Sequence, residues 1–357
     1  MIDGAGPWGT RRYKLVEGVM TPTQRSDRVV LEANLDYWNP QRFPRLQRII
    51  YDNTLSQKDA VELVKNDAGR VDLVTGLSPL ETLRVAESLF ATVVKNRGGL
   101  EMAFGLFNIR KAKSPWRDVR LRQAVNFAIN REDLIRYATK GNGVIAPALL
   151  PPGSLGYDPN LAPYAFDPGK VRDLLRAAGY PNGLVVSMIA GQAREVEATV
   201  VSKMLEQAGF TVDLQLLDFK TMRPKVVLDY PDRPAEEQTW DIALAFEKDL
   251  LNFPVYFPYF VYALGGHVDW VDEEPELRQL YAQALSTVDR DKQQALIRQM
   301  EQHTHDHAYF LFLYSPIKLY AVNKAVQFVP QVTGILNFGG TSVTDEHWLV
   351  RQGAGHQ

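Results

Sequence analysis

The stretch Asp118-Val119-Arg120-Leu121-Arg122-Gln123-Ala124-Val125-Asn126-Phe127-Ala128-Ile129-Asn130-Arg131 decides how this chain is read. Asp118 is a natural helix N-cap, because its carboxylate can accept from the free N–H groups of a first helical turn. Leu121, Ala124, Val125, Ala128 and Ile129 recur at i, i+3, i+4, i+7 and i+8, an apolar stripe along one helical face. The pattern runs on and predicts one helix over Val119–Thr139. A stripe of that kind must be buried against another element, and the flanking sequence says which.

Downstream, strands and helices alternate. Asp167-Pro168 reads as an N-cap followed by proline in the first turn, and Gly179 stops that helix. Leu184–Ile189, Thr211–Leu217 and Asp241–Phe246 read as strands, with helices over Glu195–Ala208 and Phe219–Leu228 between them. This β-α-β-α-β order predicts an α/β lobe. Helices over Glu274–Ser286 and Arg290–Asp306 follow, then strands over Phe310–Tyr314 and Lys318–Val322. Upstream, Arg12–Glu17, Val29–Ala33 and Leu46–Tyr51 are short β runs. Ser56 caps a helix to Asp67, Val71–Val74 is a short strand, and Pro79–Leu89 is a second helix. Thr92–Lys95 and Met102–Asn108 are strands. The Pro/Gly-rich stretch Ala146–Pro168 is a long loop, and such loops are either functional or wrap a lobe surface.

Composition narrows the functional classes. The chain has 357 residues, 45% of them apolar, an ordinary globular mix. Lys and Arg number 40 and Asp and Glu 42, for a net charge of −2. No basic excess marks a nucleic-acid binder. Cysteine is absent, which excludes disulfides, zinc-thiolate sites and a cysteine nucleophile. No segment reaches the ~18 consecutive apolar residues of a membrane span. The first residues, MIDGAGPWGTRRYKL, lack the basic-then-apolar layout of a secretory signal.

Several segments together resemble the family 5 extracellular solute-binding proteins, the oligopeptide/dipeptide-binding components of ABC importers. Asp118–Arg131 is similar to that family's D-V-R-V-R-Q-A-L-x-x-A-I-D-R. Asn34-Leu35-Asp36-Tyr37-Trp38 resembles its N-P-x-Y-W with leucine for proline, and Gly69-Arg70-Val71-Asp72 its G-x-V-D. Pro151-Pro152-Gly153, Tyr157-Asp158-Pro159 and Asp167-Pro168 through Ala178-Gly179-Tyr180 follow in family order. The resemblance covers roughly residues 12–345. It implies an α/β, periplasmic-binding-protein-like fold of type II, two lobes joined by a hinge, with the first lobe incomplete. Residues 1–105 would form the partial lobe, with 319–357 returning to it, and 106–318 the ligand-binding lobe, with hinges near 103–108 and 318–324. Family members carry a signal peptide and about a third of their length ahead of the strand that Gly6–Val16 resembles.

The same resemblance implies a function. The chain would capture a peptide-like or other polar organic ligand in an interlobe cleft and deliver it to the membrane subunits of an ABC importer. It would be periplasmic or otherwise extracytoplasmic, a monomer, with no cofactor, no metal, no nucleic-acid partner and no catalysis. The alternatives are a ligand-sensing domain of a regulator and a non-functional fragment of a binding protein.

A binding cleft needs backbone donors and acceptors, aromatic walls and one or two charges. Asp241–Phe246 runs into Glu247, Lys248 and Asp249, then into a segment holding Phe253, Tyr256, Phe257, Tyr259, Phe260 and Tyr262. A strand end followed by an irregular aromatic segment is where α/β lobes place ligands. Phe246, Glu247, Lys248, Asp249, Phe253 and Tyr256 are therefore ligand-binding candidates. The family resemblance assigns Asp249 to a ligand ammonium group and puts Phe246 where relatives carry tryptophan. The strand ending at Phe107 and Asn108 resembles the family's crossing strand, which adds those two residues, and its Gly105 leaves room for close backbone approach. Tyr157 and Tyr164 are the loop residues that could reach a ligand.

Other chemistry finds little support. His303 and His307 are at i and i+4, but no glutamate lies between them and the run His303–His307 falls at a helix end, where histidine complements the helix dipole. No serine sits in G-x-S-x-G, and neither a G-x-x-x-x-G-K-[ST] loop nor a helix-opening G-x-G-x-x-G is present.

Overall fold

The computed structural model describes residues 11–19, 24–66, 69–111, 113–226, 237–248, 269–271 and 274–354. The strands in chain order are β1 (Tyr13–Glu17), β2 (Arg28–Ala33), β3 (Arg48–Asp52), β4 (Leu73–Val74), β5 (Ala91–Asn96), β6 (Glu101–Phe107) and β7 (Gly143–Ile145). They continue as β8 (Val185–Gly191), β9 (Thr211–Leu217), β10 (Ile242–Lys248), β11 (Phe310–Pro316), β12 (Lys318–Asn323), β13 (Val326–Gln327) and β14 (Ser342–Val343). The helices are α1 (Gln57–Val64), α2 (Pro79–Ala86), α3 (Val119–Phe127), α4 (Arg131–Thr139) and α5 (Pro168–Ala177). Then come α6 (Glu195–Gln207), α7 (Phe219–Val226), α8 (Pro275–Ser286), α9 (Arg290–Asp306) and α10 (Trp348–Ala354).

Two compact units result. Unit 1 takes Met1–Asn96, Lys318–Gln331 and Ile335–Gln357, and unit 2 takes Arg97–Ile317 with Val332–Gly334. The divisions fall after Asn96 and after Ile317. The expected divisions were after residues 105 and 318, so the whole of β6 belongs to unit 2 and the first division lies nine residues earlier than expected.

Unit 1 is built from small antiparallel sheets, β1-β2-β3, β4-β12-β5 and the pair β13-β14. Ser56 caps α1 as expected, its hydroxyl accepting from the Asp59 N–H. Tyr320, Val322 and Phe328 form a small buried cluster on which Leu73, Val94, Leu336 and Phe338 pack. The Gly69–Asp72 motif has a clear job here. Asp72 Oδ1 accepts from His347 Nε2 at 2.9 Å, Trp348 Nε1 at 3.1 Å and Asn323 Nδ2 at 3.4 Å. His347 Nδ1 accepts from the Leu349 N–H, which fixes the tautomer that donates from Nε2. Gly69 sits at φ +64, and a Cβ there would stand 2.7 Å from the Trp348 ring. The motif is thus a seat for α10. Asp72→Ala leaves three donors on one missing acceptor and should cost about 1–2 kcal/mol. Limited proteolysis read by mass spectrometry should then cut 344–354 first, while an unchanged digestion pattern would remove the seat from the account.

Unit 2 is organised around one six-stranded sheet of order β7-β11-β6-β10-β8-β9. Strands β8, β9 and β10 are parallel, joined through α6 and α7, as the β-α-β-α-β reading required. Strands β6, β11 and β7 complete the sheet in antiparallel pairings. Its buried core runs from Met102 to Tyr314 and includes Trp116, Ile129, Leu205, Trp240 and Phe312.

The expected helix over Val119–Thr139 is two helices. Asp118 caps α3, its carboxylate accepting from the Arg120 backbone N–H, and the Arg120 guanidinium hydrogen-bonded to the same carboxylate holds the carboxyl below its ordinary range. Asn130 then ends the run by capping α4, with its side chain accepting from the Asp133 N–H. Arg122 and Arg131 explain the rest of the stretch. Both are buried, and their described hydrogen bonds all go to carbonyl oxygens. Arg122 gathers the carbonyls of Trp116, Arg117, His307 and Ala308, so it ties α3 to the end of α9. Burial pushes the Arg122 pKa down, and that of Arg131 down to about 10.

The Pro-rich loop lies along α9. Leu149 and Leu150 are buried, and the Leu150 N–H donates to Glu301 at 3.0 Å. The Tyr164 hydroxyl donates to the His305 carbonyl at 2.6 Å. Among the described residues no helix is long and apolar enough to cross a membrane.

Candidate functional site

Strand direction decides which residues of unit 2 can meet. Strand β8 leads through α6 to β9 on one side, and β10 then enters on the other side of β8. Between β8 and β10 the chain therefore switches direction across the sheet, and the carboxyl edge of such a switch point is where open α/β sheets place ligands. That edge is made by Gly191 at the end of β8 and Phe246–Lys248 at the end of β10. Antiparallel β6 brings its first residues there: Phe246 pairs with Ala103, Glu247 with Met102 and Lys248 with Glu101. Strand β11 adds Tyr314, opposite Ala103.

The expected candidates do not all gather at this edge. Phe246, Glu247 and Lys248 lie on it as the last residues of β10. Phe107 and Asn108 belong to the other end, because Phe107 pairs with Ile242 at the start of β10. Seven residues of extended strand separate the two ends, about 20 Å. Phe107 is buried with its ring stacked on Trp116, centroids 5.2 Å apart. Asn108 is fully buried; its amide donates to the Trp240 carbonyl at 3.2 Å and accepts from the Lys111 N–H at 2.9 Å. In this structure both side chains serve internal packing and hydrogen bonding. Gly105 also serves packing, since a Cβ there would stand 3.0 Å from Leu311 Cβ. Asp249, Phe253 and Tyr256 lie outside the described residues.

The sequence reading missed three residues at the edge. After β8 the chain makes a single 3-10 turn over Gln192–Arg194 and enters α6. Arg194 folds over Phe246, with its guanidinium carbon 3.6 Å from the ring centroid, a cation–π contact. Its Nη1 lies 3.5 Å from Glu197 Oε2. Glu197 is in the first turn of α6 and is buried, which raises its pKa, while Arg194 and a hydrogen bond with Tyr314 pull the other way. Tyr314 is buried too, and that burial lifts its pKa well above the ordinary phenol value. A signal for Arg194 existed: it follows the end of a parallel strand just as Asp249 does.

The histidine run closes α9. His303 is buried with Nε2 3.6 Å from Glu274 and Nδ1 3.6 Å from Glu276, and the His307 Nδ1 lies 2.9 Å from the His303 carbonyl. The His305 ring lies against Tyr164, centroids 4.5 Å apart.

The sequence profile of bacterial extracellular solute-binding proteins, family 5 Middle, matches residues 3–259. The chain belongs to this family. The dipeptide-binding protein of Escherichia coli K12 is 25% identical over 187 residues, which are 52% of this chain and 32% of that protein. The glutathione-binding protein GsiB of Pectobacterium atrosepticum is 27% identical over 218 residues, 60% of this chain and 40% of that protein. The chain is similar in fold to the periplasmic binding protein DppA of Helicobacter pylori, solved with the peptide STSA, at a TM-score of 0.72 and 21% identity. That match covers 94% of this chain and 63% of the other. The matched part of the chain thus spans about a third of the length of these curated relatives.

Proposed function

We propose that this chain is the solute-capturing part of an ABC import system outside the cytoplasm, and that it takes a peptide-like or other polar organic solute. The observation that carries the reading is the carboxyl edge at the switch point between β8 and β10, where Phe246 stands half-buried beneath a guanidinium. An aromatic face with charged and backbone groups around it binds and orients a polar organic molecule. The edge assembles no nucleophile–base pair among the described residues, and capture needs none. In this reading Phe246 is a wall, the ends of Glu247 and Lys248 offer backbone groups, and Asp249, next in sequence, holds a ligand ammonium. Phe253 and Tyr256 supply further aromatic surface. The relatives' printed names, dipeptide-binding and glutathione-binding, support a peptide-like solute.

Calorimetric titration of a dipeptide mixture into the 357-residue chain tests this. Binding should appear for the wild type. Phe246→Ala should weaken it about tenfold, the effect of one lost aromatic contact. Asp249→Asn should weaken it about thirtyfold or more, because a buried ammonium loses its counter-charge. Affinity unaltered in both variants would remove this edge as the site.

A further inference from the structure

We infer that Asn182 is a deamidation site: its side-chain amide converts to a carboxylate without an enzyme, and the isoaspartate product loosens the start of β8. The inference does not depend on the binding role proposed above. Asparagine followed by glycine is a chemically weak pair, because no side chain shields the next peptide nitrogen. The chain has two such pairs, Asn142-Gly143 and Asn182-Gly183. The fold treats them in opposite ways.

Asn182 stands in the link between α5 and β8. The Gly183 N–H donates to the Tyr180 carbonyl at 3.1 Å, so Tyr180–Gly183 is a β-turn with Pro181 and Asn182 at its two central positions. Both central residues are exposed, and among the described residues the Asn182 amide makes no hydrogen bond. Its amide carbon can therefore turn toward the Gly183 nitrogen, which a single turn hydrogen bond holds back. The glycine cannot be exchanged for a safer residue. Gly183 sits at φ +90, and a Cβ there would stand 2.1 Å from the Gly209 carbonyl oxygen. Close packing of two backbones thus fixes a reactive pair at the surface.

Asn142 has the opposite setting. It is buried, its amide donates to the Thr139 carbonyl at 3.0 Å, and its own carbonyl accepts from the Ile317 N–H at 3.1 Å. Gly143 is held in β7 opposite Pro316 of β11. Attack there requires this corner to open first.

The chemistry is an internal substitution. The Gly183 nitrogen gives its proton to solvent base and attacks Asn182 Cγ, forming a C–N bond. The Cγ–Nδ2 bond breaks, Nδ2 leaves as ammonia, and a five-membered imide closes. Water then adds to either imide carbonyl. One opening gives aspartate. The other gives isoaspartate, in which the main chain runs through Cβ and Cγ and is one carbon longer. Overall, an amide and a water become a carboxylate and an ammonium ion. The extra carbon falls immediately before Gly183. The Leu184 carbonyl accepts from the Thr211 N–H at 2.9 Å, and Val185 opposite Thr211 begins the β8–β9 ladder. Isoaspartate therefore starts that ladder out of place, at the opposite end of β8 from Gly191.

The test incubates the full chain at mildly alkaline pH, where more of the attacking nitrogen is deprotonated, and maps its tryptic peptides by mass spectrometry at intervals. Asn182 and Asn142 fall in different peptides, which begin after Arg176 and after Lys140. Asn182 should convert at least about tenfold faster than Asn142, because a buried corner reacts only in the small fraction of molecules in which it is open. In denaturant the two should convert at similar rates, which assigns the difference to the fold. The incubated wild type should melt a few degrees below fresh protein. Asn182→Gln, whose longer side chain cannot close the five-membered ring, should keep its Tm through the same incubation. An Asn182 peptide that stays unmodified in the folded chain, or that converts no faster than the Asn142 peptide, would overturn the site. Conversion with no fall in Tm would overturn the part of this turn in starting β8.

Discussion

Arg131→Met should leave unit 2 unable to hold its fold near 37 °C. The Arg131 guanidinium donates to the carbonyls of Asn126 at 3.1 Å, Ile129 at 3.2 Å, Tyr164 at 2.8 Å and Phe312 at 2.8 Å, and to Asn126 Oδ1 at 3.0 Å. These acceptors come from the end of α3, the turn before α4, the Pro-rich loop and β11. One planar cation thus closes four segments that have no mutual ladder. Methionine fills much of the same volume but donates nothing. Each buried carbonyl left without a partner costs about 1–3 kcal/mol, so the total is about 5 kcal/mol or more. That equals the lower end of the ~5–15 kcal/mol by which folded domains are stable. A domain of this size loses about 2–4 °C in Tm per kcal/mol, which puts the expected drop at about 10–20 °C. Arg131→Lys keeps the charge but loses the fork, and should fall between the two. Thermal melting followed by circular dichroism reads all three proteins. A methionine variant melting within a few degrees of the wild type would show that water reaches those carbonyls and that the guanidinium is dispensable.

The same stretch shows what a sequence can reveal. Its apolar stripe and its Asp118 cap were readable because both are local. The break at Asn130 was readable too, since Asn130-Arg131-Glu132-Asp133 is a cap followed by acids in a first turn, but the unbroken stripe outweighed it. The roles of Arg122 and Arg131 were not legible, because their carbonyl partners lie as far off as His307 and Phe312. Charged residues in a helical pattern read as a solvated face until the fold closes over them.

The candidate site divides along the same physical line. The carboxyl end of β10 was identified from its own sequence, since a strand running into charges and aromatics is a local pattern. Placing Phe107 and Asn108 beside it needed the direction of β6, and periodicity is blind to direction. Antiparallel pairing sends Phe107 to the start of β10 and brings Glu101 to its end. The meeting of Arg194 with Phe246 depends on β8 lying next to β10, and no local signal encodes that neighbour relation.

The far end of β10 supplies the second large effect. Asp241 precedes the strand and is nearly buried. Its Oδ1 accepts from Lys111 Nζ at 2.7 Å and from Trp116 Nε1 at 3.2 Å, and its Oδ2 accepts from the Ser187 N–H at 2.9 Å. Its own N–H donates to the Ser187 carbonyl at 2.8 Å, and its carbonyl accepts from the Asn108 N–H at 3.0 Å. One aspartate therefore registers β8 against β10 and fastens the segment after β6 to both. Asp241→Ala strands a buried indole N–H, a buried backbone N–H and a partly buried ammonium. Removing one member of such a buried pair costs about 3–5 kcal/mol. Asp241→Asn restores the shape but must turn an NH₂ toward either Ser187 or Lys111, both of them donors, so it recovers only part of the loss. Because this hub lies about 17 Å along the strand from Phe246, it should act on stability alone. Below the melting range of Asp241→Ala, the folded protein should bind the dipeptide mixture with wild-type affinity, whereas Phe246→Ala should show the converse, a near-normal Tm and weakened binding. An Asp241→Ala protein that melts normally but loses its ligand would move the binding site to the start of β10 and return Asn108 to it.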